Sequence, residues 1–320
     1  MVTIDEVKAA AARIKGYAVK TPLIRSDALD RVTGARLFLK AECLQVTGSF
    51  KFRGAYNRLS AMTDEERARG VVAFSSGNHA QGVARAAKLL GIEAAIVMPH
   101  DAPAMKRERT AADGADIILY DRLTESREAI ADRLAAERGA TVVPSFDDPY
   151  IVAGQGTAGL EAADQLAELG LEADLAVICC GGGGLSSGIA TALPGAEIVI
   201  AEPEGYDDAG RSLAAGAIEP VRSPGVTIQD ALQTLEIRPL TFGILAARGA
   251  TGVAVSDTEA RAAMRFAYTD LKLVVEPGGA AALAALLGKK VDAAGKTVVA
   301  TLSGGNVDPA LFAGVITEKN

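Results

Sequence analysis

The chain has 320 residues, 49% of them apolar and 23% charged, with 33 Lys and Arg against 40 Asp and Glu for a formal net charge of −7. That composition excludes a disordered chain. The acidic balance supplies no basic face for nucleic acid or an anionic membrane, so neither is an expected partner.

Taken in chain order, residues 1–16 (MVTIDEVKAAAARIKG) read as an amphipathic helix. The segment has no uninterrupted apolar core, so it is not expected to be a signal peptide. The three cysteines are odd in number and Cys179 and Cys180 are adjacent, which gives no disulfide framework and an expected cytoplasmic location. No apolar run approaches the roughly 20 residues that span a bilayer. Only two histidines occur, His79 and His100, too few for a structural zinc site. Val- and Ile-rich runs that do not alternate with polar residues fall at 36–40, 71–75, 94–98, 116–120, 141–143, 175–179, 198–201, 253–255 and 298–302. Such runs are the pattern of strands buried on both faces. Ala-, Leu- and Arg-rich segments of helical length lie between them, at 78–90, 125–138 and 158–169 among others. Strands alternating with helices predict an α/β fold with mostly parallel sheets, arranged as one wide sheet or two. No linker separates two lobes, so the lobes are expected to exchange segments around a cleft beyond the carboxyl ends of the strands.

Four segments carry chemistry. In Thr47-Gly48-Ser49-Phe50-Lys51-Phe52-Arg53-Gly54 a lysine sits between two aromatic residues. A lysine desolvated in this way has a lowered pKa and can form a Schiff base, although the segment alone favours a surface lysine on a helix whose phenylalanines face the core. Ser75-Ser76-Gly77-Asn78-His79 follows a strand and opens a helix. Its free backbone N–H groups suit a carboxylate, and its Ser and Asn suit a plain cap. Gly181-Gly182-Gly183-Gly184-Leu185 follows another strand. Consecutive glycines let backbone amides close on an anion, a phosphate above all. The G-x-S-x-G match at 184–188 lacks the downstream histidine of a hydrolase triad, and neither a dinucleotide fingerprint nor a P-loop is present. Ser303-Gly304-Gly305-Asn306 ends the last strand and offers a hydroxyl or a turn. Together, the lysine, phosphate cup, carboxylate loop and terminal hydroxyl are the parts of a pyridoxal 5'-phosphate site.

On these motifs, with MPHDAP, AGQGT, Val275-Glu276-Pro277 and SGGNVD, the chain resembles the fold-type II pyridoxal phosphate enzymes over nearly its whole length. The similar branch is that of serine/threonine dehydratases and serine racemases, including 3-hydroxyaspartate dehydratases. The resemblance implies a two-lobed, tryptophan synthase β-like fold with a large cofactor-binding domain (1–69 and 147–320) and a small mobile domain (70–146). It implies that Lys51 holds the cofactor and moves the Cα proton, and that Phe50 packs on the ring. Asn78 meets the ring hydroxyl, Gly181, Gly182, Gly183, Gly184 and Leu185 hold the phosphate, and Ser303 faces the ring nitrogen. A neutral hydroxyl there favours β-elimination over transamination. Ser75, Ser76, Asn78, His79 and Arg127 would meet the substrate, with Ser76 as a second base on the opposite ring face, as in serine racemase. Glu202, the Tyr206 carbonyl and Asp208 resemble a divalent-metal loop of the subgroup, suited to Mg²⁺ or Ca²⁺.

The chain departs from its relatives in places. Residues 227–232 lack the Asp-Gly found in their loop, with Ala231 where a glycine would lie over the ring, and Phe146 replaces an asparagine of the racemases. No regulatory domain is expected after residue 320. The implied activity is an ammonia-lyase of L-threonine and L-serine giving a 2-oxo acid and ammonia. The alternatives are a 3-hydroxyaspartate dehydratase, a serine racemase, or a non-catalytic amino-acid or cofactor-binding module. A β-carboxylate would require a further cation that the sequence does not place. A homodimer is implied.

Overall fold

The computed structural model describes residues 1–75, 77–102 and 104–318. Its ten strands are β1 (Leu23–Ile24), β2 (Arg36–Lys40), β3 (Val71–Phe74), β4 (Ala94–Pro99), β5 (Asp116–Tyr120), β6 (Thr141–Val142), β7 (Leu175–Cys179), β8 (Glu197–Pro203), β9 (Thr251–Val255) and β10 (Thr297–Thr301). They form two sheets, ordered β1-β2-β10-β7-β8-β9 and β5-β4-β3-β6. Every pairing is parallel except β1 with β2. The nine strands expected from apolar runs are all present. The tenth, β1, has only two residues and pairs antiparallel at a sheet edge, too short to leave a pattern in the sequence. β4 and β7 are buried along their whole length, which requires helices on both faces.

The helix expected over 158–169 begins nine residues earlier and runs Pro149–Ala167. Asp148 caps it by accepting from the Ile151 N–H, and Pro149 occupies the first helical position, where its missing donor costs nothing. The AGQGT glycines therefore lie inside a helix. A Cβ on Gly154 would strike Gly54, and one on Gly156 would strike the Gly188 carbonyl. The glycines let this helix press against two others, Lys51–Ser60 and Gly184–Ala192. These two carry the lysine and the glycine loop, so this long helix sets the distance between them.

A buried ionic network fixes the Lys51–Ser60 helix from behind. Arg53, wholly buried, donates to both oxygens of Glu42 at 2.7 and 2.8 Å and to both of Glu161 at 2.8 Å. Lys40, also wholly buried, donates to Glu161 at 2.7 Å. Burial alone would push the Glu42 carboxyl up, but Arg53 beside it holds it below the usual carboxylate range. On its other face the same helix sends Phe52, Tyr56 and Leu59 into the core under the four-stranded sheet. That core thus draws on chain outside residues 70–146.

Candidate active site

The Lys51–Ser60 helix starts against the loop that follows β10. The Phe50 N–H donates to the Ser303 carbonyl at 3.1 Å, and the Gly305 N–H to the Gly48 carbonyl at 2.9 Å. Lys51 is thereby placed at the carboxyl end of the larger sheet. Its Nζ donates to the Ser145 carbonyl at 2.8 Å and lies 5.1 Å from the centroid of the Phe50 ring. Burial pushes its pKa down to about 8. The second aromatic neighbour, Phe52, faces the core instead.

Phe50, Lys51, Ser75, Asn78, His79 and Arg127 line one cavity with the four glycines, Leu185 and Ser303. These are all the residues expected to meet cofactor or substrate except Ser76, which lies outside the described residues. Two helices point their N-termini into the cavity. The Gly184–Ala192 helix has Gly183 as its cap, with φ +85° and no side-chain cap, so its first N–H groups remain available to an anion. The glycines are demanded from outside the cup: a Cβ on Gly182 would enter the Phe146 ring and one on Gly183 would meet Thr241 at 2.9 Å. The Asn78–Leu90 helix likewise has no side-chain cap at Gly77. Its first N–H groups are a ready carboxylate site. An amine of lowered pKa, an amide cup for a phosphate and a terminal hydroxyl thus converge on one space, and they fit pyridoxal phosphate.

His79 is buried and its Nε2 donates to the Val143 carbonyl at 2.9 Å. Burial and the neighbouring Lys51 lower its pKa to about 3, so the imidazole is neutral. It cannot meet a carboxylate as a cation; what His79 offers is its main-chain N–H in the first helical turn. Arg127 stands at the rim. Its guanidinium lies 5.5 Å from the Phe74 ring and its Nε donates to Glu128 at 2.8 Å. It therefore both lines the cavity and makes a surface ion pair.

Three site residues had no role assigned from the sequence, although Glu276 lies in the Val275-Glu276-Pro277 motif and Asn306 in SGGNVD. Glu276 is wholly buried; its Oε1 accepts from Asn78 Nδ2 at 2.5 Å and its Oε2 has no partner among the described residues. Burial, then the charge of Asp230, raises its pKa to about 7. Asn306 donates to Asn78 Oδ1 at 2.8 Å, so the Asn78 amide is held from both ends. Lys106, on the Ala104–Ala112 helix, reaches across the cavity and donates to Asp230 at 2.8 Å. The VEP and MPHDAP motifs mark the neighbourhoods of Glu276 and Lys106, but only the fold brings their partners to them.

The expected metal set lies apart, after β8. The Glu202 carboxylate accepts from the Ala209 and Gly210 N–H groups at 3.0 and 2.7 Å, and Asp208 accepts from the Ile237 N–H at 2.7 Å. The Tyr206 hydroxyl donates to the Gly225 carbonyl at 2.9 Å. Burial pushes Glu202 well up and Asp208 up to about 6. No group of three or more His, Cys, Asp and Glu side chains that could hold a metal occurs among the described residues. The expected set depends on the Tyr206 carbonyl for its third oxygen.

The sequence profile of pyridoxal-phosphate dependent enzymes matches residues 14–304. This chain belongs to that family. Within the pyridoxal-phosphate dependent enzymes it is 44% identical to L-threo-3-hydroxyaspartate ammonia-lyase of Saccharomyces cerevisiae, over 99% of this chain and 97% of the relative. It is 45% identical to L-threo-3-hydroxyaspartate ammonia-lyase of a Pseudomonas species, over 98% and 97%. Among solved structures, maize serine racemase superposes with a TM-score of 0.91 at 40% identity, covering 98% of this chain and 96% of that one. The fold is that of the fold-type II pyridoxal-phosphate enzymes, and the protein is an enzyme of their lyase branch. No helix among the described residues is long and apolar enough to cross a membrane.

Proposed function

We propose that the protein is an ammonia-lyase of L-threo-3-hydroxyaspartate, releasing oxaloacetate and ammonia. The observation that carries this reading is the pair of relatives of that activity, 44% and 45% identical over nearly the full length of each chain. The cavity supports it, because beyond Lys51 it holds two further cations, Lys106 and Arg127, where a second carboxylate would need one. Threonine or serine as the preferred substrate, the first expectation from sequence, has less support and becomes the rival outcome.

Pyridoxal phosphate, when bound, supplies the electron sink that makes the substrate Cα–H acidic. The chain does the rest. The first turn of the Asn78–Leu90 helix binds the α-carboxylate, and the Gly184–Ala192 helix holds the phosphate. Lys51 would hold the cofactor and would serve as the base for the Cα proton; its lowered pKa keeps a usable fraction unprotonated near neutrality. Asn78, fixed by Glu276 and Asn306, presents its amide to the ring oxygen. Ser303, which lines the cavity, would offer the ring nitrogen a neutral hydroxyl rather than a carboxylate, a setting suited to β-elimination. Ser76, which lies outside the described residues, would as a second base add a racemase side activity. Glu202 and Asp208, buried and without a Lys or Arg partner within 4.0 Å among the described residues, suit a hard divalent cation together with the Tyr206 carbonyl.

The test is kcat/KM of the purified enzyme, metal-depleted and Mg²⁺-restored, for the 3-hydroxyaspartate stereoisomers, L-threonine and L-serine. L-threo-3-hydroxyaspartate should lead by at least about tenfold, a margin of roughly 1.4 kcal/mol, with Mg²⁺ raising activity. Threonine or serine leading would overturn the substrate assignment, and indifference to metal would remove the cation.

A further inference from the structure

We propose that Lys106 is the specificity-determining cation of this site, taking the β-carboxylate of the substrate in exchange for Asp230. The inference rests on the function proposed above and names the group that would recognise its second carboxylate. Lys106 is buried and its ammonium faces the cavity. Lysine is rarely buried without a partner, and its partner here is Asp230, at 2.8 Å. The two members differ in exposure. The Lys106 side chain is 9% exposed and held in the cavity wall, whereas that of Asp230 is 51% exposed and can turn to solvent.

Position supports the exchange. Lys106 Nζ lies 3.9 Å from where a Cβ on Gly77 would stand, beside the first turn of the Asn78–Leu90 helix. That turn is the α-carboxylate site. The two carboxylates of 3-hydroxyaspartate are separated by only two carbons, so a substrate anchored at the helix brings its second carboxylate to the ammonium. The other cations are less suited. Lys51 is committed to the cofactor, and Arg127 is half exposed and already paired with its neighbour Glu128.

Exchanging one carboxylate for another keeps the buried ammonium paired throughout, so binding a dicarboxylate leaves no buried charge uncompensated. Serine and threonine have nothing to offer Lys106 and leave the Asp230 pair in place. The selectivity therefore comes from the difference between substrates that can replace Asp230 and those that cannot.

The experiment uses the cofactor-loaded enzyme as wild type, Lys106→Met and Asp230→Asn. It measures kcat/KM for L-threo-3-hydroxyaspartate and L-serine, and the affinities of L-aspartate and L-alanine by titrating the cofactor absorbance. Lys106→Met should lower the hydroxyaspartate-to-serine ratio and the aspartate-to-alanine affinity ratio by about 100-fold each, as expected for removing the partner of a desolvated carboxylate. Asp230→Asn should maintain or raise both ratios, since it removes only the competitor. If Lys106 merely ties the two sheets together, both variants will weaken all ligands alike and leave the ratios unchanged, which would overturn the proposal. The amino-acid titration needs no turnover. A wild type that prefers serine would defeat the proposed function, while an aspartate affinity that depends on Lys106 would still uphold the site; an aspartate affinity indifferent to Lys106 would reject the site whatever the preferred substrate.

Discussion

Lys51 shows how far one side chain's surroundings reach into its chemistry. Its amine donates to a backbone carbonyl and has no carboxylate partner among the described residues, so burial acts on it unopposed. With a pKa near 8, about a quarter of it is free base at pH 7.5, against roughly one in a thousand for an ordinary lysine. Cofactor uptake by the cofactor-free protein should therefore accelerate with pH and reach half its maximum near pH 8, as followed by the change in cofactor absorbance. A midpoint near that of an ordinary lysine would show that the amine is not desolvated. Glu276 behaves in the opposite sense. Its folded-state pKa of about 7 exceeds the ordinary 4.5, so the folded chain keeps a proton that the unfolded chain has released between those values. Stability contributed by this residue falls as pH rises through that window, by an amount of order 3 kcal/mol in full, and is level above it. Glu276→Gln has no such loss, so its urea midpoint should drop less than that of wild type between about pH 5 and about pH 8. Equal drops would mean that Glu276 ionises like an exposed carboxylate.

At the scale of elements, the site is held together by helix crossings too tight for any side chain. Gly188 meets the Val152 carbonyl and Gly156 where its Cβ would stand, both in the Pro149–Ala167 helix. Gly188→Ala forces apart the helix that carries the phosphate cup and the one that spaces it from Lys51. It should cost about 1–3 kcal/mol, as overpacking does, and weaken cofactor affinity as well. Thermal unfolding with and without cofactor separates the two effects. A variant as stable and as tightly loaded as wild type would show that the crossing can relax. These crossings also explain why the helix was expected only from residue 158. Glycine is a poor helix former, so the glycines of AGQGT hide the helix start until their neighbours are known. The glycine cup and the lysine segment were legible because each is a local run with an unusual composition, even though Phe52 and Arg53 turn away from the site. The Asn78–Glu276 and Lys106–Asp230 contacts, 198 and 124 residues apart in sequence, left no local trace.

Over the whole molecule, two mostly parallel sheets place their carboxyl ends on one cavity, and the buried Arg53–Glu42–Glu161 network stiffens the helix that begins at Lys51. Alternating strand and helix patterns revealed the α/β class because parallel strands buried on both faces need no further information to be recognised. The proposed substrate was harder to read, since the residues that would meet its second carboxylate are brought together only by folding. Among the described residues three lysines are buried or line the cavity, Lys40, Lys51 and Lys106, and one of them must be the reactive amine. Lys40 and Lys106 each have a carboxylate partner, whereas Lys51 has only a carbonyl. The most direct measurement is borohydride reduction of the cofactor-loaded enzyme followed by peptide mass mapping. The expected result is reduced cofactor on Lys51 alone, with Lys51→Ala inactive and unlabelled. Label on Lys40 or Lys106, or activity surviving in Lys51→Ala, would contradict it.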